Sequence, residues 1–286
     1  MAKHARSLTG QVVVITGGAR GIGASTAAAL VAAGAHVAIG DLDEDLTRRA
    51  AKDLGGDTLG LRLDVTDHAG FTAFLDEVER ELGPIDVLIN NAGIMPLALL
   101  DEESDETTAR QIAINLAAVI HGTREAIRRM KPRRHGHIVN IASVAGKVGA
   151  AGGATYCATK HGVVGLSEAV RFELRGTGVD ISCVMPTIVR TELAAGLKQT
   201  RLSSQVAPEA VATAILDALR KPRFEVFVPR HLGGVNKLVR VMPRGVGEWL
   251  LRRGGSDQLL ASAAHSADRA EYERRASASA PGAEHG

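Results

Sequence analysis

Tyr156 and Lys160 stand four residues apart in the stretch YCATK, a spacing that puts both side chains on one face of a helix. A free tyrosine titrates near 10, too high for an effective base at neutral pH. A cation held beside it favours the phenolate and lowers that value by roughly one to three units. A general base works best with a pKa near the operating pH, so the pair reads as a device for moving the proton of an alcohol. Taken singly, a Tyr and a Lys at this spacing are an ordinary helix face. A second chemical feature is needed to prefer the catalytic reading. Cysteine does not supply it: Cys157 points about 100° away from Tyr156 on the helix. Cys157 and Cys183 both read as core thiols, and two cysteines are too few for a zinc site or a disulfide framework. His121, His135, His137 and His161 have no metal-ligand partners at suitable spacing, so no metal site is expected.

The second feature lies near the N-terminus. Residues 16–23 read TGGARGIG, between an apolar run (11–16) and a helical stretch (21–33). Gly17, Gly21 and Gly23 let the backbone turn and approach a pyrophosphate, and the free N–H groups around Gly21 and Ile22 at the helix start attract its charge. A glycine-rich turn alone is weak. In strand–turn–helix context it is a dinucleotide fingerprint. Asp41 closes the second strand, where a carboxylate meets the adenosine ribose. The plainer reading of Asp41 is that it begins a turn with Asp43. Arg20 works against a simple assignment, since a basic residue here could accept a 2′-phosphate or could be a solvated loop residue.

These residues sit on a regular scaffold. Apolar runs at 11–16, 36–40, 58–63, 86–90, 137–142, 180–185 and 224–228 read as strands. Helical spacing covers 21–33, 43–53, 67–82, 104–130, 154–175 and 208–220, the last with Pro208 at its start. Strands that read as continuous Val/Ile/Leu runs are covered on both faces. The alternation predicts an α/β fold, a Rossmann-type doubly wound parallel sheet of about seven strands in three layers. Ligands then bind at the carboxyl ends of the strands. Aromatics are only 3% of the chain, so the core must be built from Ala, Val, Leu and Ile. Residues 1–230 read as the dinucleotide-binding catalytic domain, with a loop expected to be mobile at 192–206. Residues 231–253 read as an amphipathic extension, and 254–286, rich in Ala, Ser, Gly and charge, as a poorly ordered tail.

With TGGARGIG (16–23), LDVTD (63–67), NNAG (90–93), Asn115, Ser143, YCATK (156–160) and Pro186 through Thr191 in this order, the chain resembles the single-domain short-chain dehydrogenase/reductase family. The resemblance spans about residues 8–195, more loosely to 230. It implies that Asp64 and Val65 flank an adenine, and that Asn91, Ala92 and Gly93 line the cofactor cleft. Val189 and Thr191, following Pro186, would hold the nicotinamide carboxamide. Tyr156 would exchange a proton with the substrate oxygen while hydride moves between its carbon and the nicotinamide, whose positive charge also favours the phenolate. Ser143 would polarise the same oxygen, Asn115 would support a water relay to Lys160, and Lys160 would also touch the cofactor ribose. Read singly, Ser143 is a strand-end cap and Asn115 a buried structural amide. One departure is Thr187, where the family usually has Gly; a β-branched residue restricts the backbone there.

The substrate surroundings are expected from Met95, Ser143, Val144, Val148, Tyr156 and Leu193, with Leu197 near them. They are apolar and offer no arginine placed to clamp a carboxylate. A lipophilic secondary alcohol or its ketone is the expected substrate and NAD, rather than NADP, the expected cofactor. The alternatives are an NADPH-dependent carbonyl or 3-ketoacyl reductase, or a non-catalytic nucleotide-binding scaffold, which would not need an intact Ser/Tyr/Lys set. The net charge of +2 gives no sign of nucleic-acid binding. No run of 18 uncharged apolar residues and no secretory signal is visible, so a cytoplasmic enzyme is expected. The resemblance favours a homodimer or homotetramer through the two long helices. Residues 220–253 carry nine Lys or Arg against two acids, a local net of +7. Val235, Leu238, Val239 and Met242 share one helical face, and Val246, Trp249 and Leu250 another. Docking onto the protein's own domain or a subunit is the plainer reading of 233–253, and peripheral contact with anionic lipid the sharper one.

Overall fold

The computed structural model describes residues 5–197, 205–241, 245, 260–264 and 266–278. Its seven strands are β1 (Val12–Thr16), β2 (His36–Asp41), β3 (Leu59–Arg62), β4 (Val87–Asn90), β5 (Gly136–Ile141), β6 (Val179–Pro186) and β7 (Glu225–Val228). They form one sheet in the order β3-β2-β1-β4-β5-β6-β7, with every pairing parallel. The strand order reverses between β1 and β4, which opens the ligand crevice at their carboxyl ends.

The alternation of side chains explains the continuous apolar runs. Val13 and Ile15 of β1 face the helices α1 (Gly21–Ala32) and α7 (Pro208–Arg220), packing with Leu30, Val211 and Ile215. Val12 and Val14 face the other layer, against Phe71, Phe74 and Val78 of α3 (His68–Leu82) and Met130 of α5 (Ala118–Arg133). Both faces are therefore covered, and each buried Val or Ile contributes about 1.5–3 kcal/mol. Between β2 and β3 runs α2 (Glu44–Leu54), whose N-cap Asp43 accepts from Leu46 N.

The long helix expected over 104–130 is interrupted. It comprises α4 (Asp105–Ile112), a π turn (Ala113–Ala117) and α5, which continues to Arg133. The wider turn carries Asn115 inward, where its amide bonds Ile94 at both N and O, 2.8 Å each. A 3.6-residue period cannot show such a bulge. Next, α6 (Ala154–Glu173) carries Tyr156 and Lys160. A buried amide ladder ties it to the sheet: Asn90 Nδ2 donates to Asn140 Oδ1 (2.8 Å), and Asn140 Nδ2 donates to Ser167 Oγ (3.1 Å).

After β6 a 3₁₀ turn (Glu192–Ala194) and a parallel bridge from Val189 to Val206 order the described parts of the 192–206 segment; 198–204 lie outside the described residues. The first amphipathic piece is α8 (His231–Val241), with Val235 and Leu238 exposed. Met242, Val246, Trp249 and Leu250 lie outside the described residues. Among the described residues no helix is long and apolar enough to cross a membrane.

Part of the stretch 254–286, expected to be poorly ordered, lies among the described residues. It forms α9 (Ala261–Ala264), a 3₁₀ turn (Ala267–Arg269) and α10 (Ala270–Ala278), with Leu260, Ala263, Arg269, Tyr272 and Ala276 buried. Average composition hid a sparse set of inward-facing residues, several of them alanines. It also hid one arginine whose burial is compensated by partners described below.

Candidate active site

The turn from β1 into α1 is built for close approach. Gly17 (φ +62°) and Gly21 (φ +51°) occupy the left-handed region, and a Cβ at Gly17 would stand 2.8 Å from Ala92 Cα. A Cβ at Gly23 would collide with the carbonyl oxygen of Gly17. Asn91 braces the turn from β4, its Nδ2 donating to Thr16 O (2.9 Å) and Gly17 O (2.8 Å). Helix α1 has Arg20 at its N-cap without a side-chain capping bond, and no acid in its first turn. The first N–H groups, including those of Gly21, Ile22 and Gly23, therefore have no intrahelical acceptor. This donor set, over a floor that admits no Cβ, fits a pyrophosphate.

Asp41 ends β2 beside that turn. Its Oδ2 accepts from Ala19 N (3.2 Å) and its Oδ1 from Leu42 N (2.9 Å). Burial raises its pKa above the ordinary carboxylate value, against the lowering by those two N–H groups. Arg20 is engaged by carboxylates, Asp43 at 2.9 Å and Glu192 at 3.6 Å. Asp64 Oδ1 accepts from Thr66 N (2.9 Å) and Oγ1 (2.7 Å), which fixes the turn after β3, and Val65 beside it is buried. Thr191 reaches across the crevice: its Cγ2 would lie 3.1 Å from a Cβ at Gly21. Thr191 N donates to Val189 O at 2.8 Å. Thr187 continues the sheet pairing, donating from N to Val228 O (2.9 Å). Arg134 is the sole non-glycine with positive φ among the described residues, so Thr187 sits there without left-handed strain.

The residues expected to transfer protons lie near the end of β5 and the start of α6. Ser143 caps the 3₁₀ turn Val144–Gly146, its Oγ accepting from Ala145 N (3.1 Å), and its hydroxyl is near enough to Tyr156 to favour the phenolate. The Ser143 hydroxyl makes only a long contact, 3.5 Å, to Pro186 O. Lys160 Nζ donates to Ile141 O (3.0 Å) and lies 5.7 Å from the Tyr156 ring centroid. A Cβ at Gly93 would sit 3.2 Å from Asn115 Oδ1 and 3.7 Å from Lys160 Nζ, so Gly93 keeps this corner open.

The electrostatics of the protein alone differ from the expectation drawn from spacing. Burial pushes the Tyr156 hydroxyl up to about 12, opposed in part by the Ser143 hydroxyl. Burial likewise brings Lys160 down to about 8. The ammonium is directed at a backbone carbonyl rather than at the phenol, so burial sets the direction of the Tyr156 shift.

Of the expected substrate-side residues, Met95, Tyr156 and Leu193 join one apolar cluster, together with Leu97, Ala194 and Leu197. Val144, half-buried in the 3₁₀ turn, packs instead against the cluster of Val119, Val163 and Met185. Val148, half-buried, joins neither cluster among the described residues. The reading from sequence missed Leu260 and Ala263, which belong to the Tyr156 cluster, and Tyr272, whose Oη accepts from Met95 N at 2.6 Å. The available signal was Tyr272 itself, one of two tyrosines in the chain, standing in an otherwise featureless tail.

A parallel sheet of this order, a glycine-floored crevice and a Ser/Tyr/Lys cluster define a dinucleotide-dependent oxidoreductase. The short chain dehydrogenase family model matches residues 11–202, and the chain belongs to this family. It is similar to momilactone A synthase of Oryza sativa subsp. japonica, 38% identical over 197 residues, covering 68% of this chain and 72% of that one. Cis-4-hydroxycyclohexanecarboxylate dehydrogenase of Sinomonas cyclohexanicum is 38% identical over 217 residues (72% and 87%). The 3-oxoacyl-acyl-carrier-protein reductase of Escherichia coli is 36% identical over 189 residues (66% and 77%). A short-chain dehydrogenase/reductase from Burkholderia phymatum, solved in complex with NAD, superposes with a TM-score of 0.76 at 28% identity, covering 82% of this chain and 94% of that one. The protein is thus a dehydrogenase/reductase acting on CH–OH groups with NAD(P).

Proposed function

We propose that the protein interconverts a lipophilic secondary alcohol and its ketone, with NAD as the preferred cofactor. The observation that carries this reading is Tyr156, buried in one apolar cluster with Met95, Leu97, Leu197 and Leu260 and influenced by the Ser143 hydroxyl. An apolar enclosure favours a substrate with little charge, since an unpaired buried charge is costly. The cis-4-hydroxycyclohexanecarboxylate dehydrogenase relative is named for a ring alcohol that also bears a carboxylate, so it supports the secondary carbinol but not the absence of charge.

The nicotinamide supplies hydride transfer when bound. Gly17, Gly21, Ile22 and Gly23 would hold its pyrophosphate, Asp41 its adenosine ribose, and Val189 and Thr191 its carboxamide side. Ser143 donates to the substrate oxygen and fixes it beside Tyr156. In reduction Tyr156 gives its proton to that oxygen; in oxidation it receives one. Lys160 holds positive charge near the phenolate so formed, and Asn115, in the π turn, keeps the backbone at Ile94 in place. With its pKa near 12, Tyr156 is the acid form at neutral pH. Oxidation therefore depends on charge that stabilises phenolate, from Lys160 and the oxidised cofactor.

Absorbance at 340 nm across a panel of alcohols and ketones tests the reading. Tyr156→Phe should remove nearly all turnover while leaving NAD affinity unchanged, because only the titrating hydroxyl is lost. Lys160→Met should lower both turnover and affinity. Oxidation by the parent should speed up from pH 7 toward 8, as proton removal from Tyr156 becomes easier, and then level off as Lys160, brought down to about 8, loses its charge. Retention of more than about a tenth of the rate by Tyr156→Phe is incompatible with general acid/base catalysis by this residue.

A further inference from the structure

We propose that residues 260–278 form the outer wall of the substrate pocket and limit the size of the alcohol it admits, with Arg269 as the bolt that holds the wall in place. The inference deepens the functional reading above and rests on it.

Three loops border the cleft over Tyr156: 94–97 after β4, 150–153 before α6 and 193–197 after β6. The C-terminal segment touches all three. Arg269 Nη2 donates to Met95 O at 2.6 Å, on one lip. Its Nη1 donates to Leu193 O (3.1 Å) and Ala195 O (2.8 Å), on the opposite lip. Its Nε pairs with Glu273 at 3.1 Å. Arg269 is 1% exposed, yet every guanidinium nitrogen has an acceptor. A buried arginine without such partners is strongly unfavourable, so the fourfold pairing marks a built joint rather than a chance contact. Tyr272 adds a second tie to the first lip through its bond from Met95 N. On the third loop, a Cβ at Gly152 would lie 2.5 Å from Ala261 Cα, and one at Gly153 2.7 Å from Leu260 Cδ1. Those glycines let the segment close directly on the loop. Arg275 also pairs with Glu192 at 2.9 Å, beyond the second lip.

What the wall presents to the cleft is apolar. Leu260 and Ala263 pack in one cluster with Met95, Leu97, Leu197 and Tyr156. The space beside the reactive hydroxyl is therefore set by side chains from a part of the chain beyond the family match at 11–202. On this proposal a compact alcohol or ketone is admitted beneath Leu260, and a bulkier one requires the wall to give way.

Two variants separate volume from anchoring. Leu260→Ala enlarges the pocket and keeps the bolt; Arg269→Ala removes the bolt. Both are tried with NAD on 2-butanol, cyclohexanol and 2-decalol, and with the corresponding ketones and NADH. Amide hydrogen exchange is followed at 95–97, 150–153 and 193–197. NAD affinity serves as the check that each variant is folded. In the parent, kcat/KM should fall with substrate bulk. Leu260→Ala should raise the bulky-to-compact ratio by about tenfold, mainly through KM, since each missing methylene in a pocket is worth about that much. Arg269→Ala should raise the same ratio and speed exchange in all three stretches. An unchanged ratio in both variants, or unchanged exchange in Arg269→Ala, overturns the wall. If the parent turns over none of these compounds, the functional reading falls instead. Exchange alone then decides whether the segment is bolted across the cleft.

Discussion

At the scale of single residues, cofactor choice turns on Asp41 and Arg20. A 2′-phosphate would bring negative charge close to the Asp41 carboxylate; two unit charges 4 Å apart repel by about 4 kcal/mol at an effective dielectric of 20. Solvent at the rim reduces this, but a tenfold preference for NAD needs only about 1.4 kcal/mol. Arg20, the one group expected to favour the phosphate, is engaged with Asp43 and Glu192. NAD should therefore bind at least about tenfold more tightly than NADP. Asp41→Ala should weaken NAD binding and strengthen NADP binding, as titrations of cofactor fluorescence would show. Tighter NADP binding by the parent would mean that Arg20 leaves its carboxylates and dominates. The raised pKa of Asp41 adds a pH dependence. As pH falls, Asp41 is neutralised sooner than an ordinary aspartate, so the NAD-over-NADP ratio should narrow on acidification.

At the scale of elements, β5 and β6 carry a pH sensor of stability. His137 on β5 is buried, with Nε2 2.8 Å from Ser182 Oγ on β6. The Ser182 hydroxyl donates to Arg223 O (2.7 Å), so it accepts from His137 Nε2–H. Burial lowers the His137 pKa to about 4, with Asp180 opposing and Arg6 assisting that fall. In the unfolded chain the same ring titrates near 6.5. Between those values the unfolded state binds more protons, so stability is lost as pH falls through that window. The melting temperature should drop from pH 7 to pH 4.5, and His137→Gln should flatten the drop while costing some stability at pH 7. An equal slope in both proteins would place the acid sensitivity elsewhere.

At the scale of the whole molecule, helices α4 and α6 leave Ile112 and Phe172 exposed on the outside of the sheet sandwich. Homo-oligomers bury such apolar surface in self-complementary contacts. Light scattering should give a mass that is a twofold or fourfold multiple of the 29.9 kDa chain. Phe172→Glu should shift that mass downward if this face is the contact. A monomeric parent would remove the oligomer reading.

Much of this protein was legible without coordinates. The strand runs, the glycines that permit positive φ, Asp41 at the end of β2 and the Tyr156/Lys160 spacing are consequences of local rules: side-chain period, backbone freedom and helix geometry. They pointed to the glycine turn and to the Tyr156/Lys160 pair from local sequence alone. Tertiary structure decided what depends on neighbours distant in sequence. The π turn that draws Asn115 inward follows from its bonds to Ile94, 21 residues away. The shift of Tyr156 toward 12 follows from burial, which no spacing reveals. Val144 packs with Val119, Val163 and Met185 rather than in the cluster around Tyr156, which depends on neighbours distant in sequence. The placement of Arg269 depends on carbonyls at 95, 193 and 195, 74 or more residues away. A composition window sees only a run of small and charged residues. It is the desolvated guanidinium, satisfied by backbone from two separate loops, that fixes the segment over Tyr156.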